Sequence, residues 1–208
     1  MVMAKKNALT FPLKWYSIPQ CWRYERSTRG RRREHFQWNM DVWGTGAQDP
    51  DGGGGGFTTD VMAEAELLGA IATFFKDVGL TAEDVVIKVN SREVLAAVLK
   101  DVAGIEDPAT FAKAAVLVDK LDKQTPAALY DDFQEKVGLA PSKVDTLIHT
   151  LQETTFDQKD PALQSIAELF DLAEAAGFRE FLSFDPTIVR GLSYYTGLVF
   201  EAADRQGE

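Results

Sequence analysis

The hydrophobic pattern of this chain changes period more than once. Residues 11–43 carry the period of two that a pleated strand imposes. The stretch FPLKWYSIPQCWRYE at 11–25 is rich in aromatics, which suit a half-buried pleated surface. Pro12 and Pro19 within it point to an edge position or an irregular start. At 35–43, HFQWNMDVW alternates cleanly, with Phe36, Trp38, Met40 and Val42 on one side and Gln37, Asn39, Asp41 and Trp43 on the other. The two strands and the arginine-rich loop at 26–34 between them predict a long antiparallel hairpin. That loop exceeds what a tight turn needs, and long loops often carry function.

The spacing then turns helical. Residues 60–78 predict an amphipathic helix whose stripe is Leu67, Ile71, Phe74, Phe75 and Val78, with Gly79 as its stop. VVIKVN at 85–90 reads as a short buried strand, and 92–102 as a helix with Val94, Leu95, Val98 and Leu99 inward. From Asp107 four helix starts follow: Asp107-Pro108, Thr125-Pro126, Ala140-Pro141 and Asp160-Pro161. Proline is favoured at the first helical position because the amide hydrogen it lacks has no partner there anyway. Gly138 and Gly177 mark stops. Residues 181–203 return to strand, interrupted by RGLSYYTG.

The expected organisation is a mixed fold over 1–106, a small helical module inserted at 107–180, and a return to the first fold over 181–208. Residues 44–59 hold five consecutive glycines at 52–56 and two aspartates. They form a flexible low-complexity segment, either a surface insertion or an artefact of the gene model. The strand at Leu198–Ala203 lies so near Glu208 that the domain reads as cut short.

Composition narrows the classes. The chain has 208 residues, 45% apolar and 26% charged, as in ordinary globular proteins. No stretch has the roughly 18 apolar residues of a membrane span, so no membrane partner is expected. Met1-Val-Met-Ala-Lys-Lys lacks the apolar core of a signal peptide and is too short for a transit peptide. The lone Cys21 rules out a disulfide framework and a multi-cysteine zinc site, and reads as a packed thiol in a reducing compartment. His35 and His149 lie far apart with no clustered partners, so nothing assigns a metal site. Neither GxxxxGK[ST] nor GxGxxG occurs.

Charge changes the picture more. The net charge is −10, yet Gln20–His35 holds six arginines (Arg23, Arg26, Arg29, Arg31, Arg32, Arg33) against Glu25 and Glu34. A basic island on an acidic body marks one surface for a polyanion such as a nucleotide or RNA. Arg29, Arg31, Arg32 and Arg33 suit a clamp on phosphates or an RNA end; a solvated charge run would look the same.

Side chains two apart on a strand share a face, so Gln37 and Asp41 look one way, as do Cys21, Arg23 and Glu25. If the polar faces coincide, Arg23, Gln37 and Asp41 meet one concave site. The arginine would fork onto a phosphate and the carboxylate would pair with an ammonium. An ordinary surface hairpin laced with salt bridges fits the same spacing. In RGLSYYTG, Arg190, Leu192 and Tyr194 share a face if the strand is regular, and the glycines allow close backbone approach. The paired tyrosines offer a wall for a planar ligand; a core strand with one outward arginine is the alternative.

WYSIPQCWRYERSTRGRRREHFQWNMDVWG resembles motif 2 of class II aminoacyl-tRNA synthetases in the form found in histidyl-tRNA synthetases. VRGLSYYTGLVFE resembles that family's histidine-specific motif, and AEAELLGAIATFF and VVIKVNSREVL resemble its core. The likeness runs over nearly the whole chain and is weakest at 44–59 and in the helical module.

The resemblance implies an α+β fold, a class II antiparallel sheet flanked by helices. It implies a histidine–tRNA ligase that activates histidine with ATP and Mg2+ as substrate complex, releases pyrophosphate, and transfers the histidyl group to the 3′ end of tRNA(His). Arg23 and Arg190 resemble the catalytic arginines at the α-phosphate. Glu25 and Arg31 match loop positions near ATP, and Arg29, Arg31, Arg32 and Arg33 the region facing the tRNA acceptor end. Gln37, Asp41, Tyr194 and Tyr195 resemble the histidine pocket, Asp41 being suited to the α-amino group.

Motif 1, motif 3 and the anticodon-binding domain have no counterpart in these residues. An internal fragment, inactive by itself, of a homodimeric enzyme is therefore expected. The compartments open to it are the cytoplasm, mitochondrion and plastid stroma. Two alternatives compete: a non-catalytic relative like the regulatory subunit of ATP phosphoribosyltransferase, and a generic α/β domain that binds RNA through its arginine loop.

Overall fold

A computed structural model describes residues 2–24, 26, 32–44, 59–121, 124–157, 160–189 and 197–206. The chain divides into two compact units, Met1–Leu68 and Gly69–Glu208. The first holds a hairpin of four short strands: β1 (Leu13–Ser17), β2 (Gln20–Trp22), β3 (Glu34–Phe36) and β4 (Asn39–Trp43). β1 pairs antiparallel with β4 and β2 with β3. The two long strands predicted here are each broken once, at Ile18-Pro19 and at Gln37-Trp38. Pro19 has no amide hydrogen to give the ladder, and its carbonyl accepts the Gln37 amide at 3.1 Å. The first strand also ends before the predicted Glu25, at Trp22. The aromatics expected to be half-buried stand largely in the open, Tyr16, Trp22, Tyr24 and Phe36 among them.

α1 (Thr59–Asp77) follows, and its buried face differs from the predicted stripe. Val61, Ala65, Leu68 and Ala72 are buried, whereas Phe74 and Val78 are exposed. The spacing was right in period and wrong in phase, because small residues set this face. Ala65 and Ala72 let the helix approach its neighbours, and a reading of large apolar residues alone misses them. Gly69 serves the same end: a Cβ there would stand 3.2 Å from the Phe178 ring.

The second unit is built on β5 (Val85–Ser91), flanked by β6 (Leu182–Phe184) and β7 (Leu198–Asp204). β7 runs antiparallel to β5, but β6 runs parallel, so this sheet is mixed. β5 is buried at Val86, Ile87, Val89, Asn90 and Ser91, as befits a central strand. α2 (Arg92–Ala103) starts directly from it, capped by Ser91, whose hydroxyl accepts the Glu93 amide. Its buried residues are Val94, Leu95, Val98 and Leu99, the four predicted.

All four proline-marked starts open helices: α3 (Pro108–Val118), α4 (Pro126–Lys136), α5 (Pro141–Glu153), and a 3-10 turn at Pro161–Leu163 that leads into α6 (Gln164–Ala175). Asp107 and Thr125 cap the first two through their side chains; Ala140 cannot. Gly79, Gly138 and Gly177 take positive φ just past α1, α4 and α6, as their placement predicts. The core of α3–α5 (Ala114, Leu117, Leu129, Phe133, Val144, Leu147, Leu151) is continuous with Leu95 and Leu99 of α2 and with Val189. No helix among the described residues is long and apolar enough to cross a membrane.

Candidate functional site

The hairpin keeps one register throughout. Leu13 lies opposite Trp43, Ser17 opposite Asn39, Gln20 opposite Phe36 and Trp22 opposite Glu34. The break at Pro19 holds two residues on each strand, so no side chain changes face. Beyond β2 the Arg23 amide donates to the Arg33 carbonyl at 2.8 Å, which extends the register one step. Directly opposed residues share a face, and so do residues two apart. Arg23, Gln37 and Asp41 therefore stand on one face, the coincidence on which the predicted site depended.

They form a row rather than a cluster. Gln37 lies four residues from Asp41 and four from Arg33, which is opposite Arg23. At about 3.3 Å per residue each step is roughly 13 Å along the strand. The order along the row is carboxylate, amide, guanidinium.

Each end of the row has its own setting. Asp41 is exposed, and its Oδ2 accepts a hydrogen bond from Nε1 of Trp15, its direct cross-strand partner, at 2.7 Å. Trp15 in turn meets Trp43 edge to face, with ring centroids 5.8 Å apart and planes at 74°. Sequence reasoning missed Trp15, because its place opposite Asp41 depends on register. At the other end Arg33 lies over the Tyr24 ring, 4.6 Å from its centroid, a cation–π contact. Arg32 is exposed. Cys21 and His35, half-buried, oppose each other between these ends. Gln20 is hydrogen-bonded to Glu34. Glu25, Arg29 and Arg31 lie outside the described residues, as does most of the glycine-rich segment.

Arg190, Tyr194 and Tyr195 also lie outside them, but both stems leading to that motif are described. The end of β5 holds both. Asn90 is 1% exposed, and its Nδ2 donates to the carbonyls of Pro186 at 2.9 Å and Ile188 at 3.1 Å. Its Oδ1 is buried with no partner among the described residues. The Asp185 amide donates to the Val89 carbonyl at 3.0 Å, and its carboxylate pairs with Lys88 at 2.9 Å. That carboxylate also accepts from the Thr187 amide and hydroxyl. Burial pushes the Asp185 carboxyl up, but Thr187 and Lys88 outweigh it and hold it below the ordinary value. On the far stem Gly197 takes φ +69°, a conformation that costs a glycine little, and its carbonyl accepts the Arg92 amide at 3.1 Å. Leu198 then pairs with Ser91.

A cleft of about 570 Å³ lies between the α3–α5 helices and the sheet, lined by Lys88, Gln124, Tyr130, Asp145, His149 and Glu201 among others. Asp145 accepts the Tyr130 hydroxyl and pushes the phenol up from its ordinary value. None of the sequence-predicted site residues that are described lines this cleft. His149 pairs with Glu153 at 3.3 Å. Among the described residues no three His, Cys, Asp or Glu side chains gather as a metal site.

Comparison with known proteins assigns both stretches to one family. The family model described as "Histidyl-tRNA synthetase" matches residues 1–208. The chain is 40% identical to the chloroplastic/mitochondrial histidine–tRNA ligase of Arabidopsis thaliana, matching with all of its own length and 41% of that protein. It is 33% identical to the histidine–tRNA ligase of Halobacterium salinarum, again over its whole length and 46% of the relative. It thus spans less than half the length of these curated relatives. Among solved structures it superposes on the histidyl-tRNA synthetase of Nostoc sp. PCC 7120 with a TM-score of 0.71 at 21% identity, over 97% of this chain and 46% of that one. An ATP phosphoribosyltransferase regulatory subunit/histidyl-tRNA synthetase from Bacillus halodurans gives 0.68 at 19% identity, over 100% of this chain and 52% of that one. At those identities the likeness is one of fold, and it matches the predicted α+β class.

Proposed function

Because this chain belongs to the histidyl-tRNA synthetase family, we propose that it supplies the histidine-activating part of a histidine–tRNA ligase. Histidine's carboxylate oxygen attacks the α-phosphorus of ATP, brought in as its Mg2+ complex. The bond from that phosphorus to the bridging oxygen breaks, and pyrophosphate leaves. A terminal hydroxyl of tRNA(His) then attacks the histidyl carbonyl, and AMP leaves.

The shared face of the hairpin carries this reading, since it presents both a carboxylate suited to an ammonium and a guanidinium suited to a phosphate. Asp41 takes the ammonium, Gln37 hydrogen-bonds the amino acid, and Arg23 holds the α-phosphate, where charge builds as the bond forms. Arg190 is assigned to the α-phosphate as well, and Tyr194 and Tyr195 to the wall of the histidine pocket. Glu25 and Arg31 serve ATP. Arg29, Arg31, Arg32 and Arg33 serve the acceptor end of the tRNA. Catalysis here is mostly positioning and charge stabilisation, which needs rigid anchors. The clamped stems on either side of 190–196 and the single hairpin register are such anchors. Residues 107–180 act as an inserted module and 1–106 with 181–208 as the catalytic core, in an enzyme that works as a homodimer. The name of the Arabidopsis relative favours an organelle over the cytoplasm, and imaging of a tagged protein decides between them.

The test is histidine-dependent ATP–pyrophosphate exchange, run on these 208 residues and on the longest natural polypeptide that contains them. Arg23→Ala should lower the exchange rate roughly 10²–10³-fold, the range for removing one donor to developing charge. Exchange that is absent from both polypeptides, or indifferent to Arg23, refutes the reading. The fold likeness to the Bacillus halodurans protein favours a second reading, a histidine-binding regulatory subunit. The six arginines of Gln20–His35 oppose it, since such a subunit has no acceptor end to grip. Histidine binding without tRNA affinity would decide for it.

A further inference from the structure

We propose that Trp15 is a positioning residue for histidine recognition: its indole N–H holds one oxygen of Asp41 and turns the other toward the substrate ammonium. Resting on the assignment of Asp41 to the amine, this adds a specific device to that site.

Asp41 is exposed, and a short exposed carboxylate would otherwise divide its time among rotamers. Trp15 stops that. It lies directly opposite Asp41 in the ladder, and its Nε1 sits 2.7 Å from Oδ2, at the short end for an N–H···O contact. The indole also meets the Trp43 ring edge to face, with centroids 5.8 Å apart. Trp43 lies opposite Leu13, two residues from Trp15, so the two rings are diagonal neighbours on one face. Trp43, Trp15 and Asp41 thus form a chain of contacts that ends in a carboxylate with one oxygen engaged.

The donor's chemistry matters as much as its position. An ionised carboxylate accepts on two oxygens, with about four lone-pair sites. An indole N–H uses one of these and brings no positive charge. A lysine or arginine in its place would orient Asp41 equally well but would cancel the charge an ammonium needs. Lys14, the neighbouring cation on the same strand, points to the other face and pairs with Glu66. Among the described residues Asp41 is therefore oriented by a neutral donor. That also gives a reason for a tryptophan 44% exposed on a strand. Fixing the group before the ligand arrives leaves less freedom to lose on binding.

The test is equilibrium dialysis of labelled histidine, with labelled ATP as the control, on the longest natural polypeptide that contains these residues and on its Trp15→Phe and Asp41→Asn variants. Phenylalanine keeps an aromatic ring beside Trp43 while removing the donor. Trp15→Phe should weaken histidine binding about 3–10-fold and leave ATP binding within twofold; Asp41→Asn should weaken histidine binding further. In ATP–pyrophosphate exchange the same variant should raise KM for histidine and leave kcat near wild type. If Asp41→Asn weakens histidine binding and Trp15→Phe does not, Asp41 keeps its role and Trp15 has none. If Trp15→Phe weakens histidine and ATP alike, or lowers the melting temperature with them, its role is structural and the proposal is overturned. If wild type binds no histidine, or Asp41→Asn binds it normally, the assignment of Asp41 fails and takes the proposal with it.

Discussion

Replacing Asn90 by alanine should cost about 2 kcal/mol of stability, a figure that follows from where its two amide hydrogens go. Both bond main-chain carbonyls of one stem, Pro186 in a buried setting and Ile188 in a partly buried one. Alanine leaves both oxygens without a donor. A buried carbonyl stripped of its partner costs roughly 1–3 kcal/mol, and one that water can reach costs nearer the 0.5–1.5 kcal/mol net value of an ordinary hydrogen bond. Against this, Asn90 Oδ1 is already buried without a partner, and removing it returns about 1 kcal/mol. For a chain of this size a loss of about 2 kcal/mol lowers Tm by about 4–8 °C. Asn90→Asp should be worse than Asn90→Ala, because it removes the donors and sets a charge against two carbonyl oxygens. The assay is urea unfolding of the three proteins, with amide exchange at Ile188 and Val189 to locate the change. A loss under about 0.5 kcal/mol for alanine, an aspartate variant as stable as wild type, or exchange at Ile188 and Val189 unchanged would refute this account of the stem.

Three further outcomes follow. Phe133→Ala, emptying a fully buried site in the α3–α5 core, should cost about 3–5 kcal/mol in the same urea assay; a loss below 1 kcal/mol would mean that the helices close over the gap. Ser91→Ala removes the cap of α2 and should cost about 1 kcal/mol, visible as faster amide exchange in the first turn of α2 and nowhere in α5. Asp185 titrates below its unfolded value, so its contribution is fully present above about pH 4 and is lost as pH falls through the lower folded pKa. Wild type should therefore lose more stability than Asp185→Asn between about pH 4 and pH 2, and parallel acid-unfolding curves would disprove the role given to Thr187 and Lys88.

Local rules explain why much of the fold was legible. Asp107, Thr125, Ala140 and Asp160 each precede a proline, and each opens a helix or helical turn, because φ and the missing amide are fixed by the residue itself. The inward face of α2 was read without error, since its four core residues are large. α1 was read out of phase because alanine carries little weight in a hydrophobic pattern yet sets how near a helix can pack. The break at Pro19 was visible as a proline in a strand, but the matching break at Gln37-Trp38 was not, because it is imposed from across the ladder.

The candidate site divides along the same line. Residue type and alternation determined that Gln37 shares a face with Asp41, and the arginine-rich run and RGLSYYTG gave both the chemistry and the family resemblance. That Arg23 joins that face, and that Trp15 meets Asp41, required the pairing of strands whose partners lie about 10 and about 25 residues apart. The parallel docking of β6 on β5 across some 95 residues, and the Asn90 clamp it makes possible, were legible nowhere in the sequence. Period, capping and composition act between near neighbours and can be read along the chain. Register and strand partner are chosen by the packing of the whole, and only the tertiary structure settles them.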